Sequence, residues 1–376
     1  MHGDQASRIV ILGGYGQAGR ALTPLLLLHT NAHLVLAGRD AEKARRAAEE
    51  WNTRFEGGRV AGVRADAADP HSLEAAFAGA GMVVVAASTA QHVQTVAVSA
   101  LRCGLDYLDI LYAPQKIPVL RAMAGDIERA GRCFITEAGF HPGLPSALIR
   151  HAASRLDRLD RAVAASVLNL EGGLPYASSV DELVESFRAY KPLVYRAGVW
   201  RALSMWNPYR RVQFGGGFGA RYCVPLPLEE MLALPEMVPS LRETGFYIAG
   251  FNWFADWIVS PVVMVGLWLF PRAAVKPMGR LLCWSTRFFT RPPYGIVLQL
   301  EAEGIAAGAS RRLDLFLFHE DGYVFTAVPV AACLLQVLDG SARRPGLHLM
   351  GHVVDPARLL ADMRRMGIRI EEHQRG

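Results

Sequence analysis

Closely spaced glycines near the start of the chain constrain its fold more than any other feature. Residues 8–12 are Arg-Ile-Val-Ile-Leu, and an apolar run rich in β-branched residues predicts a buried parallel strand. The residues at 17–29 predict a helix, and a second apolar run at 33–37 predicts the next strand. Three glycines at intervals of three lie between the first strand and the helix: Gly13, Gly16 and Gly19. This is the context in which a glycine-rich turn binds a dinucleotide.

Each glycine has a separate physical task in such a turn. Gly13 allows the tight turn, Gly16 lets the backbone approach a pyrophosphate, and Gly19 lets the helix pack closely on the strand. The amino end of the helix offers free N–H groups and a partial positive charge to the phosphates. We therefore predict that the cofactor is bound by the whole turn: Gly13, Gly14, Tyr15, Gly16, Gln17, Ala18 and Gly19.

The end of the second strand selects between the two nicotinamide cofactors. An acidic residue there binds the ribose 2′-hydroxyl of NAD, whereas an arginine accommodates the 2′-phosphate of NADP. Residues 37–40 are Ala-Gly-Arg-Asp, so the planar guanidinium of Arg39 is placed to meet a 2′-phosphate. Asp40 comes one position later and is expected to cap the helix at 41–50. The sequence favours NADPH over NADH, while an ordinary surface arginine remains the alternative for Arg39.

More apolar runs continue the alternation of strands and helices. The further strands are predicted at 58–65, 82–87, 106–110 and 132–136, and the helices between them at 71–79, 91–103 and 115–130. This alternation predicts an α/β fold with a doubly wound parallel sheet, the Rossmann fold. Ligands of such sheets bind beyond the carboxyl ends of the strands. We therefore expect Asp66, Ser88 and Thr89, which follow strands, to contact the cofactor.

Composition narrows the class of protein. The chain has 376 residues, enough for two domains, and its net charge of +5 comes from scattered basic residues. Without a long basic block, nucleic-acid binding is not expected. The five cysteines are widely spaced with no Cys-x-x-Cys pair, which argues against a disulfide framework, and no residue cluster suggests a metal site. The first residues lack an apolar signal core, so we expect a cytoplasmic protein.

Several motifs resemble those of the saccharopine dehydrogenase-like reductases. They are Gly-Gly-Tyr-Gly-Gln-Ala-Gly-Arg at 13–20, Ala-Gly-Arg-Asp at 37–40, Asp-Tyr-Leu-Asp-Ile at 106–110 and Glu-Ala-Gly-Phe-His-Pro-Gly-Leu-Pro at 137–145. A stretch near the end of the chain, at 326–340, is also similar. Between 150 and 320 the resemblance holds only in outline.

The resemblance implies a fold and a chemistry. The expected architecture is a Rossmann domain at 1–142 and 325–376, an inserted α+β substrate-binding and dimerisation domain at 143–324, and a C-terminal helix that returns to the Rossmann domain. The expected activity is NADPH-dependent reduction of an imine in an amine or amino-acid-derived substrate. Two alternatives stay open: reduction of a conjugated C=C bond on a lipid- or carrier-linked substrate, and a membrane-associated nucleotide-binding scaffold without turnover.

Either reduction needs a general acid near the nicotinamide ring. Four polar residues at or after strand ends are the candidates: His92, Asp109, Tyr112 and His141. Tyr112 and His141 are the best placed, the aspartate is the expected orienting partner, and the earlier histidine is a substitute. Each of them is also consistent with a packing role. Tyr112 and Lys116 have the Tyr-x-x-x-Lys spacing of short-chain dehydrogenases, but Pro114 interrupts the helical face that such a pair needs, so we treat this spacing as coincidence.

The inserted domain is rich in aromatic residues and glycine and offers no recognisable arginine clamp for carboxylates. An apolar or aromatic small molecule is therefore as well supported as a dicarboxylic amino acid. Strands are predicted at 161–170, 193–200, 211–224, 246–251, 294–305 and 310–318, and helices at 143–156, 178–189, 227–235 and 252–290. A glycine-rich stretch at 210–221 predicts a bulged strand or hairpin near a ligand.

The most unusual stretch of the inserted domain is the aromatic and aliphatic run at 251–270. Its uninterrupted apolar part, 257–270, is shorter than the ~20 residues that span a bilayer. Three interpretations remain open: a buried helix or a homodimer face, a hydrophobic substrate wall, and a peripheral membrane contact through interfacial tryptophans.

Overall fold

The structure, a computed structural model, describes residues 7–187, 190–204 and 209–376. In its first part, strands and helices alternate. The strands are β1 (Arg8–Leu12), β2 (His33–Gly38), β3 (Val60–Arg64), β4 (Met82–Val85), β5 (Asp106–Asp109) and β6 (Cys133–Thr136). The helices are α1 (Gln17–His29), α2 (Ala41–Arg54), α3 (Pro70–Phe77), α4 (Val93–Arg102), α5 (Lys116–Ala122) and α6 (Ala124–Arg129).

The middle of the chain mixes long strands with helices of varied length. Its helices are α7 (Leu144–Arg155), α8 (Ser178–Ser186), α9 (Glu229–Leu232), α10 (Leu234–Met237), α11 (Ser260–Leu269) and α12 (Val275–Phe289). Its strands are β7 (Arg158–Asn169), β8 (Leu193–Arg196), β9 (Val199–Ala202), β10 (Arg210–Phe214), β11 (Gly219–Pro225), β12 (Glu243–Ala249), β13 (Gly295–Ala306) and β14 (Ala309–His319). A π-helix at Ala255–Val259 leads directly into α11.

The end of the chain contributes three helices and two strands. They are α13 (Gly322–Leu338), β15 (Gly346–Leu349), α14 (Met350–Val353), α15 (Pro356–Arg365) and β16 (Arg369–Arg375). The chain divides into two compact units. The first runs to Ala147 and resumes at Tyr323–Met366, and the second comprises Leu148–Gly322 and Gly367–Gly376.

A seven-stranded sheet forms the centre of the first unit. Its strand order is β15-β6-β5-β4-β1-β2-β3, and every neighbouring pair is parallel. The order reverses direction between β1 and β4, which is the doubly wound arrangement of dinucleotide-binding sheets. The predicted Rossmann fold is therefore confirmed, and α13 is the predicted C-terminal helix in this unit.

Local sequence explains why these elements form. In β1, the side chains from Ile9 to Leu12 are all buried, as a parallel strand covered on both faces requires. At the start of α2, the Asp40 carboxylate accepts hydrogen bonds from the amides of Glu42 and Lys43, each at 3.1 Å. The predicted helix cap at Asp40 is thus confirmed, and these amides lower the pKa of its carboxyl group.

The C-terminal part of the first unit is tied to the sheet by an ion pair. The Arg343 guanidinium donates to both oxygens of Asp106 at the start of β5, with distances of 2.6 and 3.2 Å. Beyond this contact, β15 extends the sheet next to β6, with Gly346 opposite Cys133. This strand was not predicted from the sequence.

The second unit contains a mixed sheet in the order β10-β11-β12-β7-β13-β14-β16, and β8 pairs with β12 at one side. Its strands are mostly antiparallel, with β12 and β7 parallel. The glycine-rich stretch at 210–221 forms the hairpin of β10 and β11. A hairpin was one of the two structures predicted for this stretch, and a bulged strand was the other. Gly216 and Gly217 have positive φ angles of 60° and 83°, which the tight connection requires.

Three predictions for the second unit need correction. The strand predicted at 193–200 is the β8–β9 hairpin, since Ala197 and Gly198 adopt the positive φ angles of a tight turn. The helix predicted at 252–290 is interrupted after α11, because Phe270 precedes Pro271 and leaves the helical region with φ −133°. Residues 367–376, expected in the Rossmann domain, carry β16 of the second sheet.

Candidate functional site

The glycine turn after β1 is pressed between two neighbouring strands. Gly13 has a φ of +89°, and a Cβ there would lie 2.7 Å from the Cβ of Ala87 beyond β4. A Cβ on Gly14 would lie 2.8 Å from Leu36 of β2. The Gly13 amide donates to the Ala37 carbonyl at 2.7 Å. Side chains at these two positions are therefore excluded by the sheet itself.

The start of α1 has the features of an anion-binding site. Gly16 occupies the N-cap position, and within the described ranges no side chain caps this helix. The amides of Gln17, Ala18 and Gly19 lie in the first turn of α1, where the helix itself provides no carbonyl acceptor. A Cβ on Gly19 would lie 2.6 Å from the Cα of Gly14, so only glycine lets α1 start this close to the turn. The helix end is thereby placed for a pyrophosphate.

Tyr15 links the glycine turn to the end of β2. Its hydroxyl accepts a hydrogen bond from the Asp40 amide at 3.1 Å, and its ring occupies the space where Gly38 lacks a side chain. The next residue, Arg39, is exposed. Tyr15 therefore holds the backbone on both sides of the arginine that the sequence assigns to the 2′-phosphate.

A second arginine lies at the same sheet edge and was missed by the sequence analysis. Arg64 ends β3 directly opposite Gly38 of β2, and its side chain is exposed. Two guanidinium groups, Arg39 and Arg64, thus follow neighbouring parallel strands. Arg64 could have been predicted from the sequence, because it is a basic residue at the end of the third strand and complements Arg39 at the end of the second.

The other predicted cofactor contacts lie at strand ends, as expected. Asp66 accepts a hydrogen bond from the Ala68 amide at 3.1 Å and so shapes its own turn. Ser88 is exposed and Thr89 is half-buried in the segment after β4. The Thr89 hydroxyl donates to the Ala87 carbonyl at 3.3 Å. Their contact with a cofactor stays a prediction.

Asp109, predicted to orient a catalytic acid, is the centre of a fully buried hydrogen-bond network. Its carboxylate accepts from the Tyr107 hydroxyl at 3.0 Å and from the Thr136 hydroxyl at 2.8 Å. It also forms an ion pair with Lys116, and both side chains are 0% exposed. Lys116 donates further to the Leu111 carbonyl. This ion pair and its neighbours fix the loop between β5 and α5.

Tyr112 follows β5 and Glu137 follows β6, near enough for the Glu137 charge to act on the Tyr112 phenol. Burial, and next the Glu137 carboxylate, raise the pKa of Tyr112 to about 12, so its phenol is neutral at physiological pH. Glu137 is 1% exposed and has a φ of +56°, which is strained for a residue with a side chain. Strained non-glycine residues cluster at functional sites. In the sequence, Glu137 is the first residue of the motif at 137–145, and it was not predicted as a catalytic candidate.

The two predicted histidines differ in environment. Burial lowers the pKa of His141 to about 4, so its imidazole is neutral at physiological pH. Its ring packs on Phe140, which in turn stacks on Phe325 of α13 with ring centroids 4.8 Å apart. His92 is half-buried beside the Gln91 amide, at 3.1 Å between their nitrogens. A catalytic role of His141 or His92 stays a prediction.

No group of three His, Cys, Asp or Glu side chains in the described part of the chain is arranged to hold a metal ion. Several polar groups gather at the strand ends of the first unit. They comprise the glycine turn, the two exposed arginines, the half-buried Tyr112 and the buried Glu137 carboxylate.

Comparison with known proteins identifies the first unit. A sequence profile of the saccharopine dehydrogenase NADP-binding domain matches residues 9–135. The fold is similar to that of apo saccharopine dehydrogenase (L-Glu forming) from Saccharomyces cerevisiae, with a TM-score of 0.75 and 14% identity over 99% of this chain and 100% of that chain.

Two further solved structures are less similar. A myo-inositol dehydrogenase from Corynebacterium glutamicum matches 98% of this chain and 99% of its own at 13% identity and a TM-score of 0.46. A short-chain dehydrogenase/reductase from Veillonella parvula, in complex with NADP, matches 29% of this chain and 49% of its own at 26% identity and a TM-score of 0.25.

The profile match confirms the family that the sequence motifs resemble and the NADP cofactor that Arg39 favoured. Residues 9–135 therefore belong to the saccharopine dehydrogenase NADP-binding family, and the chain that carries them is an NADP-dependent oxidoreductase.

Proposed function

We propose that this oxidoreductase transfers hydride from NADPH to the carbon of a C=N bond in an amine or amino-acid-derived substrate. The observation that carries the proposal is the buried carboxylate of Glu137 beside Tyr112, at the strand ends of the NADP-binding unit. Ligands of such sheets bind at these strand ends.

The charge of Glu137 favours imine reduction over reduction of a conjugated C=C bond. A protonated imine carries a positive charge that hydride transfer neutralises, and a buried carboxylate stabilises that cation. Hydride addition to a conjugated C=C bond instead builds an enolate anion, which a neighbouring carboxylate repels. Lys116, a cation near these strand ends, is already committed to the ion pair with Asp109.

Tyr112 supplies the hydrogen-bond donor in this proposal. Its raised pKa keeps the phenol protonated and uncharged at neutral pH, so it can donate a hydrogen bond to the lone pair that the nitrogen gains when hydride transfer forms the amine. His141 stays neutral because burial lowers its pKa to about 4, so it adds no positive charge that would oppose an iminium ion.

The test is NADPH oxidation, followed by absorbance, with a panel of cyclic imines and a panel of enoyl thioesters. We expect turnover with imines, and we expect Glu137→Gln to lower kcat by about 100-fold while NADPH still binds. Glu128→Gln, the same change at an exposed position on α6, is the matched control and should keep wild-type kcat.

Two results would overturn the proposal. Turnover of enoyl thioesters but not of imines would assign the chain to C=C reduction. Tight NADPH binding without turnover of either panel would favour a nucleotide-binding scaffold.

A further inference from the structure

The second unit exposes a large apolar surface on consecutive helical turns. We call it the aromatic face and define it by the exposed side chains of the π-helix, α11 and the residue after it: Trp257, Ile258, Val262, Val265, Trp268, Leu269 and Phe270. Trp268 is 79% exposed and Phe270 is 62% exposed. Soluble proteins rarely expose contiguous apolar patches of this kind unless they bind something.

The aromatic face is only one side of these helices. Val259, Val263 and Leu267, spaced four residues apart, pack into a core with α12. The apolar residues thus continue around to the opposite, exposed side. The predicted buried helix is therefore found on one side of this segment, whereas the other side is exposed in the single chain.

Other elements of the second unit enlarge the aromatic face. An apolar groove of about 600 Å³ lies between α11 and α12, bordered by Val262, Val265, Phe270 and Met278. The exposed Tyr222 ring of β11 lies 6.4 Å from the ring of Trp257. Trp253, Trp284 and Phe288 are further exposed aromatic side chains of the same segment, and the Trp284 and Phe288 ring centroids lie 5.7 Å apart.

The border of this surface is positively charged. Residues 251–291 contain five basic side chains, Arg272, Lys276, Arg280, Arg287 and Arg291, against one acidic side chain, Asp256. Asp256 is half-buried and accepts a hydrogen bond from the Phe251 amide. In the part of the chain that is described, no carboxylate forms an ion pair with Arg272 or Lys276, both exposed.

We propose that the aromatic face docks on an anionic lipid bilayer. Apolar helices with tryptophans on the exposed side and basic residues at the border lie in the interface of such membranes, where the rings enter the headgroup region and the cations bind anionic headgroups. The long basic side chains reach the headgroups while their methylene groups stay near the apolar surface.

Charge decides between a bilayer and a second copy of the chain. Self-association through this face would bring two basic borders together, and like charges across an interface oppose binding. An anionic bilayer is complementary to both the apolar centre and the basic border. The homodimer predicted from the sequence is therefore not proposed for this surface.

The contact lies on the membrane and does not cross it. In the described residues, no helix is long and apolar enough to span a bilayer. The ten residues of α11 would be about 15 Å long, half of a hydrocarbon core of about 30 Å.

The test is co-sedimentation of the full chain with vesicles of phosphatidylcholine alone and of phosphatidylcholine mixed with phosphatidylserine. We expect binding to the anionic vesicles that weakens as salt is raised, since the Debye length shortens. Quenching of tryptophan fluorescence by brominated lipids reports whether the rings enter the interface.

Two variants separate the apolar and charged contributions. The double variant Trp268→Ser/Phe270→Ser should weaken binding by about tenfold or more, whereas Leu28→Ser, at a 65% exposed position of α1, should bind like wild type. The double variant Arg272→Glu/Lys276→Glu should weaken binding to anionic vesicles by about tenfold or more. Its matched control is Arg8→Glu/Arg364→Glu, at exposed positions in the first unit.

NADPH binding, measured on every variant, reports the integrity of the first unit independently of turnover. The proposal fails if the wild-type chain sediments with neither vesicle. It also fails if the control variants lose as much binding as the matched variants. A concentration-dependent dimer that Trp268→Ser/Phe270→Ser abolishes, without vesicle binding, would assign the surface to a second copy instead.

Discussion

At the scale of single residues, buried polar groups near the strand ends divide into two kinds. Asp109 and Lys116 are bound to each other and to the residues around them. Glu137 has a strained backbone conformation, and its charge acts on the Tyr112 phenol. The spacing of Tyr112 and Lys116 was treated as coincidence because of Pro114. The turn after Pro114 nevertheless brings Lys116 into an ion pair with Asp109. The conformation of the loop between β5 and α5 places Lys116 against Asp109. This ion pair marks Asp109 as a structural carboxylate, whereas Glu137 is the carboxylate that we propose acts on substrate.

The preference for NADPH over NADH is also expected to depend on single residues. We predict that Arg39→Asp weakens NADPH binding by about 10- to 100-fold, since a charged hydrogen bond contributes about 1.5–3 kcal/mol. NADH lacks the 2′-phosphate, so its binding should change little or improve. Titration of both cofactors against tryptophan fluorescence or by calorimetry measures the two affinities.

Arg64→Asp, at the end of the neighbouring strand, is the comparison variant. It should also weaken NADPH binding, but by a smaller factor than Arg39→Asp. Equal losses for NADPH and NADH in Arg39→Asp would remove Arg39 from the 2′-phosphate site. Thermal unfolding of each variant excludes loss of fold as the cause.

At the scale of elements, the sequence predicted helices and strands best where local chemistry sets their ends. The helix after the glycine turn begins at Gln17 and ends at His29 as predicted, because the turn fixes its start. The hairpin of β8 and β9 was predicted as one strand, since two residues with positive φ are enough to reverse the chain. The break after α11 follows from a single proline at position 271.

The start of the aromatic segment contains a titrating carboxyl group, Asp256. Burial raises the pKa of this group from 3.8 to about 6, while its oxygen accepts the Phe251 amide. The folded state therefore binds the proton more tightly than the unfolded state. Its stabilising contribution is complete below pH ~4 and is lost as the pH rises toward and through ~6.

We predict that Asp256→Asn gains stability relative to the wild type as the pH rises from 4 to 7. The relative free energy of unfolding should change by up to about 3 kcal/mol, because the neutral amide does not ionise. Urea unfolding at several pH values measures this change. The exposed Asp126→Asn is the control and should give a nearly flat difference; an equally flat difference for Asp256→Asn would refute the assignment.

At the scale of the whole molecule, the last helix and the end of the chain belong to different units. After α15 of the first unit, residues 369–375 form β16 and pair antiparallel with β14 of the second sheet. Glu372 of this strand also forms an ion pair with His151, at 3.3 Å. The last ten residues are therefore part of the second unit.

We predict that a chain ending at Met366 keeps NADPH affinity while its second unit loses stability. Removal of β16 exposes the edge of β14 and removes a ladder whose hydrogen bonds contribute about 0.5–1.5 kcal/mol each. Limited proteolysis should then cut within 148–322 faster than in the full chain. Removal of Gly376 alone is the control; unchanged proteolysis of the chain ending at Met366 would contradict the prediction.

The sequence by itself determined the alternating strands and helices, the glycine turn and the preference for NADP. These depend on features that are local in the chain, such as the close approach of Gly19 to Gly14 and the position of Arg39 after β2. Tertiary structure alone decided that Lys116 pairs with Asp109, which strands the chain end joins and which side of 251–270 meets solvent. Those outcomes depend on the burial of side chains by segments far away in the chain, and the apolar pattern of 251–270 is the same on its buried and exposed sides.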